Sequence, residues 1–406
     1  MLFSIPIDKV RESLPASTTI MTAPNSFHDL LDNSLHLTRD LLRFNTINPP
    51  GAERDCAEHL GRLLESAGFA VSYHAFAESR TSVIATIGGR QDKPPICFTG
   101  HIDIVPLGMA KWSRDPFAGE TDGDRLYGRG STDMKSGIAA FVLAAIKLAP
   151  HLKNAPGVTL VLTASEEVGC EGAKYLAEEK LLDRAGAIVV AEPTANVPYI
   201  GHKGLLWVEI ETTGKTAHGS MPEQGENAIL KMNKVINQIE HFDWKHQCGV
   251  DCHHVMGKPT MNIATLHAGL NTNSVPDSAK LTIDVRTVPG IDHVHLCRSI
   301  QHLIGDLGQV RKIVDTPTLY SEPDEWIERV FDIATPFIDG KPTPKTIMFS
   351  TDGADLKRGY GGKIPAVIIG PGQPELAHQT DEWCSVKRID QSVEIFEQIM
   401  RDWNGL

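Results

Sequence analysis

Five short polar clusters hold the residues of this 406-residue chain that could do chemistry together. They are Gly100-His101-Ile102-Asp103, Thr132-Asp133 at the end of a Gly-rich loop, Ser165-Glu166-Glu167, Glu192-Pro193-Thr194, and Ala377-His378-Gln379-Thr380-Asp381-Glu382. The candidate metal ligands are His101, Asp133, Glu192, His378 and one of the Glu166-Glu167 pair. Imidazole and carboxylate without thiolate suit a hydrolytic zinc or manganese centre. Two such ions about 3.5–4 Å apart can share a carboxylate, polarise a carbonyl and make hydroxide available near neutral pH. Adjacent glutamates in a loop can point to different partners, so one can bind metal while the other moves protons. In His101-x-Asp103 the aspartate can hold the imidazole and fix its tautomer. Each cluster alone is weak, since Glu-Glu pairs decorate helices and Glu-Pro commonly starts one. The weight lies in their joint occurrence.

Something must bring them together. Four of the five clusters follow apolar strand-like segments, at 95–100, 158–164, 187–191 and 366–369, and the Gly-rich loop precedes an Ala-rich helix at 135–148. In an open α/β sheet, ligands bind outside the carboxyl ends of the strands, so five loops there can share one pocket. Further helices are expected at 26–47 (with Ser26 as N-cap), 52–67 and 171–179, and strands at 70–74 and 82–87. Strand and helix alternate up to about residue 203, which predicts a largely parallel α/β sheet. From 204 to 316 the texture changes. Strands at 205–213, 260–267 and 279–286 and helices at 227–241 and 293–307 predict a small open-faced α+β domain. After Pro317 the α/β pattern returns, with a helix at 324–338, strands at 345–348 and 366–369, and a helix at 386–403. Residues 21–203 and 317–406 are therefore expected to form one domain and 204–316 an insertion in it.

Composition narrows the function classes. Lysine plus arginine total 39 against 51 aspartate plus glutamate, a net charge of −12. That balance disfavours a nucleic-acid binder and gives no reason to invoke an anionic membrane. No run of about 18 apolar residues is present, so no spanning helix is expected. The first twenty residues carry Asp8, Lys9, Arg11 and Glu12 where a signal peptide needs an apolar core. Residues 1–20 are read as a disordered extension, with Met21 as an alternative start. The 7 cysteines are odd in number and scattered, which suits reduced thiols in a cytoplasm. His246, Cys248, Cys252, His253 and His254 crowd one segment without the paired spacing of a zinc knuckle, and are read as an exposed loop with incidental thiols. Neither a nucleotide-type Gly loop nor a GxSxG elbow is present.

The sequence resembles the co-catalytic metallopeptidase and deacylase family of acetylornithine deacetylase, succinyl-diaminopimelate desuccinylase, aminoacylases and glutamate carboxypeptidase. The matching text is GHIDIVPLG, DGDRLYGRGSTDMKSG, TASEEVG, AEPT, GKTAHGSMPEQGENA, NTNSVPDSAKLTIDVRT, FSTDGAD and GPGQPELAHQTDEW. Ser165 departs from the aspartate that several members carry there. The resemblance implies an α/β fold, a largely parallel-sheet catalytic domain with an inserted open-faced α+β lid and dimerisation domain. It implies two divalent ions, zinc first, with cobalt or manganese as alternatives. His101, Asp133 and Glu192 would hold one ion, and Asp133, Glu167 and His378 the other. Glu166 would be the general base, Asp103 would orient His101, and His218 would reach the substrate carbonyl across a dimer interface. Arg286 would grip the substrate carboxylate, with Asn273 and Gly353 lining the same pocket. The implied function is deacylation of an N-acyl amino acid by a cytoplasmic homodimer, with metallo-carboxypeptidase or dipeptidase action on short peptides as the alternative. A more remote one is a binding protein of the same fold that has lost its metals.

Overall fold

The computed structural model describes residues 33–89 and 92–406. The extension 1–20, Met21 and the Ser26 cap lie outside them. Helix α1 (Ser34–Leu42) is capped by Asn33, whose side chain accepts from the Leu35 N–H. Then come α2 (Arg54–Ser66), β1 (Ala70–Ala77), β2 (Arg80–Ile87), β3 (Ile96–His101), α3 (Lys135–Leu152), β4 (Val158–Thr163), α4 (Glu171–Glu178) and β5 (Ala187–Val190). An inserted stretch supplies β6 (Gly204–Thr213), α5 (Ala228–Glu240), β7 (Thr260–Ala268), β8 (Ser278–Thr287), α6 (His293–Ile304) and β9 (Gln309–Thr316). The chain closes with α7 (Glu325–Ala334), α8 (Gly353–Gly359), β10 (Ala366–Ile368) and α9 (Val386–Asn404).

The main sheet has the order β1-β2-β4-β3-β5-β10. Its β4–β3, β3–β5 and β5–β10 pairings are parallel, while β1 and β2 join antiparallel. Strands β3, β4 and β5 are buried at every residue, as predominantly apolar parallel strands are when helices cover both faces. Helix α3 is long and apolar enough by composition to cross a membrane, but it is buried inside this fold, against α1, α9 and the sheet. It can lie so close because of Gly137, where a Cβ would stand 2.2 Å from the Ala191 carbonyl oxygen. That contact sets the start of α3, which Asp133 immediately precedes, beside the loop that carries Glu192.

The inserted stretch forms a four-stranded antiparallel sheet, β7-β8-β6-β9. Alternation on β6 decides its two faces. Leu206, Val208 and Ile210 pack with Met232 and Val235 of α5 and Leu296 and Ile300 of α6. Leu205, Trp207, Glu209 and Glu211 point the other way, where no helix among the described residues covers them. Edge strand β7 is exposed along nearly its whole length.

Two expectations need correction, and one strand adds to those expected. Strand β9 was not anticipated. The segment 345–348 is not a strand: Ile200 and Ile347 donate backbone N–H bonds to Lys345 and Gly201, both 2.9 Å, and a single bridge pairs His202 with Ile347. The helix expected over 324–338 ends at Ala334, because Pro336 has no N–H to continue it and the chain tightens into a 3₁₀ turn.

Candidate active site

The parallel strands β4, β3, β5 and β10 all point their carboxyl ends to one edge of the sheet. His101 is the last residue of β3. Glu166 and Glu167 follow β4 by a sharp turn in which Ser165 takes a left-handed φ of 66°. Glu192 follows β5, and His378 lies in the loop after β10, itself at a left-handed φ of 63°. Asp133 joins them from the start of α3.

These side chains converge. His101 Nε2 stands 3.1 Å from Asp133 Oδ1 and 3.9 Å from Glu192 Oε1. His378 Nε2 stands 3.3 Å from Asp133 Oδ2 and 3.1 Å from Glu167 Oε2. Asp133 thus turns one oxygen to each histidine. Among the described residues, two groupings could hold a metal ion, His101-Asp133-Glu192 and Asp133-Glu167-His378. They share Asp133. The segment 246–254 contributes to neither. There His253 and His254 stack at 4.4 Å, and the Tyr320 hydroxyl lies 3.1 Å from His254 Nε2.

Surrounding hydrogen bonds hold the constellation. His101 Nδ1 donates to the Asp103 backbone carbonyl at 3.0 Å, and the Asp103 carboxylate stands farther off, at 3.5 Å. That carboxylate accepts from the backbone N–H groups of Glu166 (3.0 Å) and Glu167 (3.2 Å) and from the Asn48 amide (2.9 Å). Asp103 therefore fixes the glutamate loop as much as the imidazole. Glu382 does the same for the Asp133 loop, accepting from the N–H groups of Gly130 (3.1 Å), Thr132 (2.7 Å) and Asp133 (3.1 Å) while pairing with Arg129 at 2.6 Å. Both members of that pair are buried.

Charge is crowded here. Burial, followed by repulsion from neighbouring carboxylates, pushes Glu167 above the ordinary carboxylate range and Glu192 well above it. Burial likewise pushes Glu166 well above that range, against the pull of His101. Burial opposes a charge on His101, but the nearby carboxylates outweigh it and raise the imidazole well above its usual value. Hydrogen bonds to Asp133 and Glu167 push His378 up to about 10. Glu167 Oε1 is buried without a hydrogen-bond partner. An oxygen-rich, half-buried set with an unused carboxylate oxygen fits a pair of divalent cations, which relieve the repulsion that raises these carboxylates.

The remaining expected residues are placed differently. Arg286, on β8, lines the same cavity of about 470 Å³ as Asp133, Glu166, Glu167, Glu192 and His378. Its guanidinium is engaged by Asp284, with Nε–Oδ1 2.8 Å and Nη2–Oδ2 3.1 Å. His218 and Asn273 do not line that cavity. Both are exposed and sit together, with His218 bridging to Ser274 and the Gly219 N–H donating to the Asn273 carbonyl at 2.7 Å. Gly353 opens α8 and is buried, and a Cβ there would meet Val190 Cγ2 at 2.6 Å.

Several residues escaped the sequence reading. Asp352 is buried and accepts from the Thr163 hydroxyl; burial pushes its carboxyl up to about 6. Cys170 Sγ lies 3.6 Å from Glu166 Oε1. Asn48, Arg129 and Glu382 act through the loops they pin. An arginine between two glycines was the available signal for Arg129, and none marked Glu382 as its partner.

Comparison with known proteins agrees with this geometry. Residues 97–402 match the family described as Peptidase family M20/M25/M40. A protein named probable succinyl-diaminopimelate desuccinylase from Staphylococcus aureus is 29% identical over 395 residues, covering 90% of this chain and 98% of that protein. An acetylornithine deacetylase from Vibrio atlanticus is 28% identical over 356 residues, covering 85% and 90%. The crystal structure of a metallo-carboxypeptidase from Sulfolobus solfataricus superposes with a TM-score of 0.74 at 18% identity, covering 92% and 99%.

Proposed function

Since this chain belongs to peptidase family M20/M25/M40 and is a metal-dependent hydrolase of amide bonds, we propose that it removes the acyl group from an N-acyl amino acid. The products are a carboxylate and a free amine, as in acetylornithine deacetylase or succinyl-diaminopimelate desuccinylase. The observation that carries the two-ion part of this reading is Asp133, with one oxygen toward His101 and the other toward His378. His101, Asp133 and Glu192 would hold one ion, and Asp133, Glu167 and His378 the second, with zinc the first choice and cobalt or manganese alternatives. When bound, two such ions polarise the amide carbonyl and acidify water.

The chain's own groups do the rest. Glu166 takes the proton from the attacking water and delivers it to the leaving nitrogen. Asp103 holds the Glu166-Glu167 backbone so that the two carboxylates diverge. Arg286 offers the substrate carboxylate a planar fork, while Asn273 and Gly353 remain candidates only for lining the pocket around it. His218 would come from a second copy of the chain and donate to the developing oxyanion. A homodimer through the inserted sheet suits the open edge of β7 and the exposed Leu266 on it, with Leu230 exposed on α5. A cytoplasmic setting suits the seven unpaired thiols.

The test pairs two variants with metal analysis. Glu166→Gln keeps both ions and loses about 10²–10⁴-fold in kcat. Glu167→Gln loses the second ion, because an amide is a poorer ligand than a carboxylate. Full activity in Glu166→Gln removes it from the mechanism. Turnover of dipeptides, but of no N-acyl amino acid, moves the reading to a peptidase.

A further inference from the structure

We propose that the substrate group recognised beside the metal ligands is apolar: an aliphatic or aromatic side chain on an N-acyl amino acid that carries a single carboxylate, seated against Leu205, Trp207 and Val314. This rests on the deacylase reading above and narrows it.

The cavity has two unlike walls. One is the polar ligand set. The other comes from the uncovered face of the inserted sheet, with Met348 and Phe349 at the rim. Strand register groups the apolar part of the second wall, Leu205, Trp207 and Val314, beside Arg286. Strand β6 runs between β8 and β9, and Trp207 pairs with Asp284 on one side and Val314 on the other. Two residues back, Leu205 pairs with Arg286 and Thr316. These two rows lie on one face, at the end of the sheet nearest the catalytic layer. Farther along the same face the residues become Glu209, Glu211, Lys280 and Arg311, joined by ion pairs. The apolar patch is therefore confined to the part that overlooks the ligands.

Packing does not account for these side chains. Trp207 is 41% exposed and Met348 92% exposed, and neither belongs to a buried apolar cluster. Large apolar surface left open at the mouth of a polar site is surface that a ligand can cover. Charge points the same way. Apart from His378, the only cation among the cavity-lining residues is Arg286, and Asp284 already holds two of its nitrogens. One substrate carboxylate can share that fork. Among the residues lining this cavity a second carboxylate finds no further cation, the nearest others being Lys174, Lys312 and Arg358 of the adjoining cavity beyond Val314. An ammonium on the side chain finds only Glu166 and the ligand carboxylates, Asp284 beside Trp207 being already held by Arg286. Either would be desolvated without a partner of its own, whereas an apolar group gains from burial on Trp207. The reaction is ordinary hydrolysis. The water oxygen bonds to the carbonyl carbon, the C–N bond breaks, and the nitrogen takes the proton held by Glu166.

Calorimetry on metal-loaded Glu166→Gln, which binds without turnover, measures recognition directly. N-acetyl-phenylalanine and N-acetyl-methionine should bind about tenfold or more tighter than N-acetylornithine or N-succinyl-diaminopimelate. In the otherwise wild-type enzyme, Trp207→Ala should lower kcat/KM for N-acetyl-phenylalanine about tenfold or more with metal content unchanged, and Trp207→Phe should restore most of it. Equal or tighter binding of the charged compounds, or an unaffected Trp207→Ala, overturns the proposal. The two readings fail separately. Preferential apolar binding without cleavage of any N-acyl amino acid removes deacylation and leaves the wall's assignment standing. Faster cleavage of the charged substrates removes that assignment and leaves deacylation standing.

Discussion

His202 sits where the chain leaves the catalytic layer for the inserted sheet, and it is fully buried. Its Nε2 accepts the Thr351 backbone N–H at 3.1 Å, which forces the ring proton onto Nδ1, and Nδ1 donates to the Lys203 carbonyl at 2.8 Å. The Thr351 hydroxyl lies 3.2 Å from Nε2. A second proton on Nε2 would face the Thr351 N–H, lose that hydrogen bond, and find only the Thr351 hydroxyl to accept it. Burial accordingly pulls the imidazole from 6.5 down to about 4. The folded value is depressed, so the unfolded chain takes up the proton first as pH falls. Stability from neutral His202 is complete above pH 6.5 and is lost as pH drops toward 4. A shift of that size corresponds to about 3 kcal/mol, at up to about 1.4 kcal/mol per pH unit. His202→Gln keeps an acceptor for Thr351 and does not titrate. Urea unfolding of both proteins, followed by far-UV circular dichroism from pH 7 to pH 4, isolates the effect, since every other titrating group is common to the two. The stability of wild type relative to the variant should fall by about 3 kcal/mol across that range. A gap constant to within about 0.5 kcal/mol would refute the reasoning.

Two further outcomes follow from the same geometry. Glu382→Gln leaves Arg129 buried beside a neutral amide and weakens three backbone hydrogen bonds under Asp133; it should cost about 3–5 kcal/mol in unfolding free energy and reduce metal affinity, and unchanged melting and metal content would show that the pair is dispensable. Mixing inactive Glu166→Gln with inactive His218→Ala and allowing subunit exchange should restore about a quarter of wild-type activity if His218 acts across a dimer, because each mixed dimer regains one site; no recovery with exchange demonstrated would place His218 in its own chain's site or outside the mechanism.

The metal-ligand candidates were legible because each stands just after an apolar strand or at the start of the apolar helix α3, and parallel strands bring such positions to one edge. The inserted sheet was less legible. Strand β9 reads QVRKIVDT, with weak alternation and a register shift between Lys312 and Val314, so its period is blurred. Helix α8 begins at a glycine and has seven residues, too few to show a helical period. The apolar wall was not legible at all, because Trp207 meets Val314 only through a pairing across strands about a hundred residues apart. Asp103 shows a subtler limit. Its nearness to His101 follows from spacing, but the attachment of its carboxylate to the Glu166 and Glu167 amides depends on the turn at Ser165.

The ends of the inserted sheet meet. Leu205, entering β6, faces Thr316, leaving β9, on neighbouring strands. The stretch between them therefore leaves and returns through a single doorway, and the main sheet is continuous without it. Glu166 and the candidate ligands lie on one side of that doorway, and Leu205, Trp207 and Arg286 on the other. Substitution at Leu205 or Trp207 can retune what is recognised without touching the candidate ligands, whereas wholesale exchange of the insert would also replace His218. The candidate ligands and most of the apolar wall thus lie in separate lengths of the chain, free to diversify at different rates.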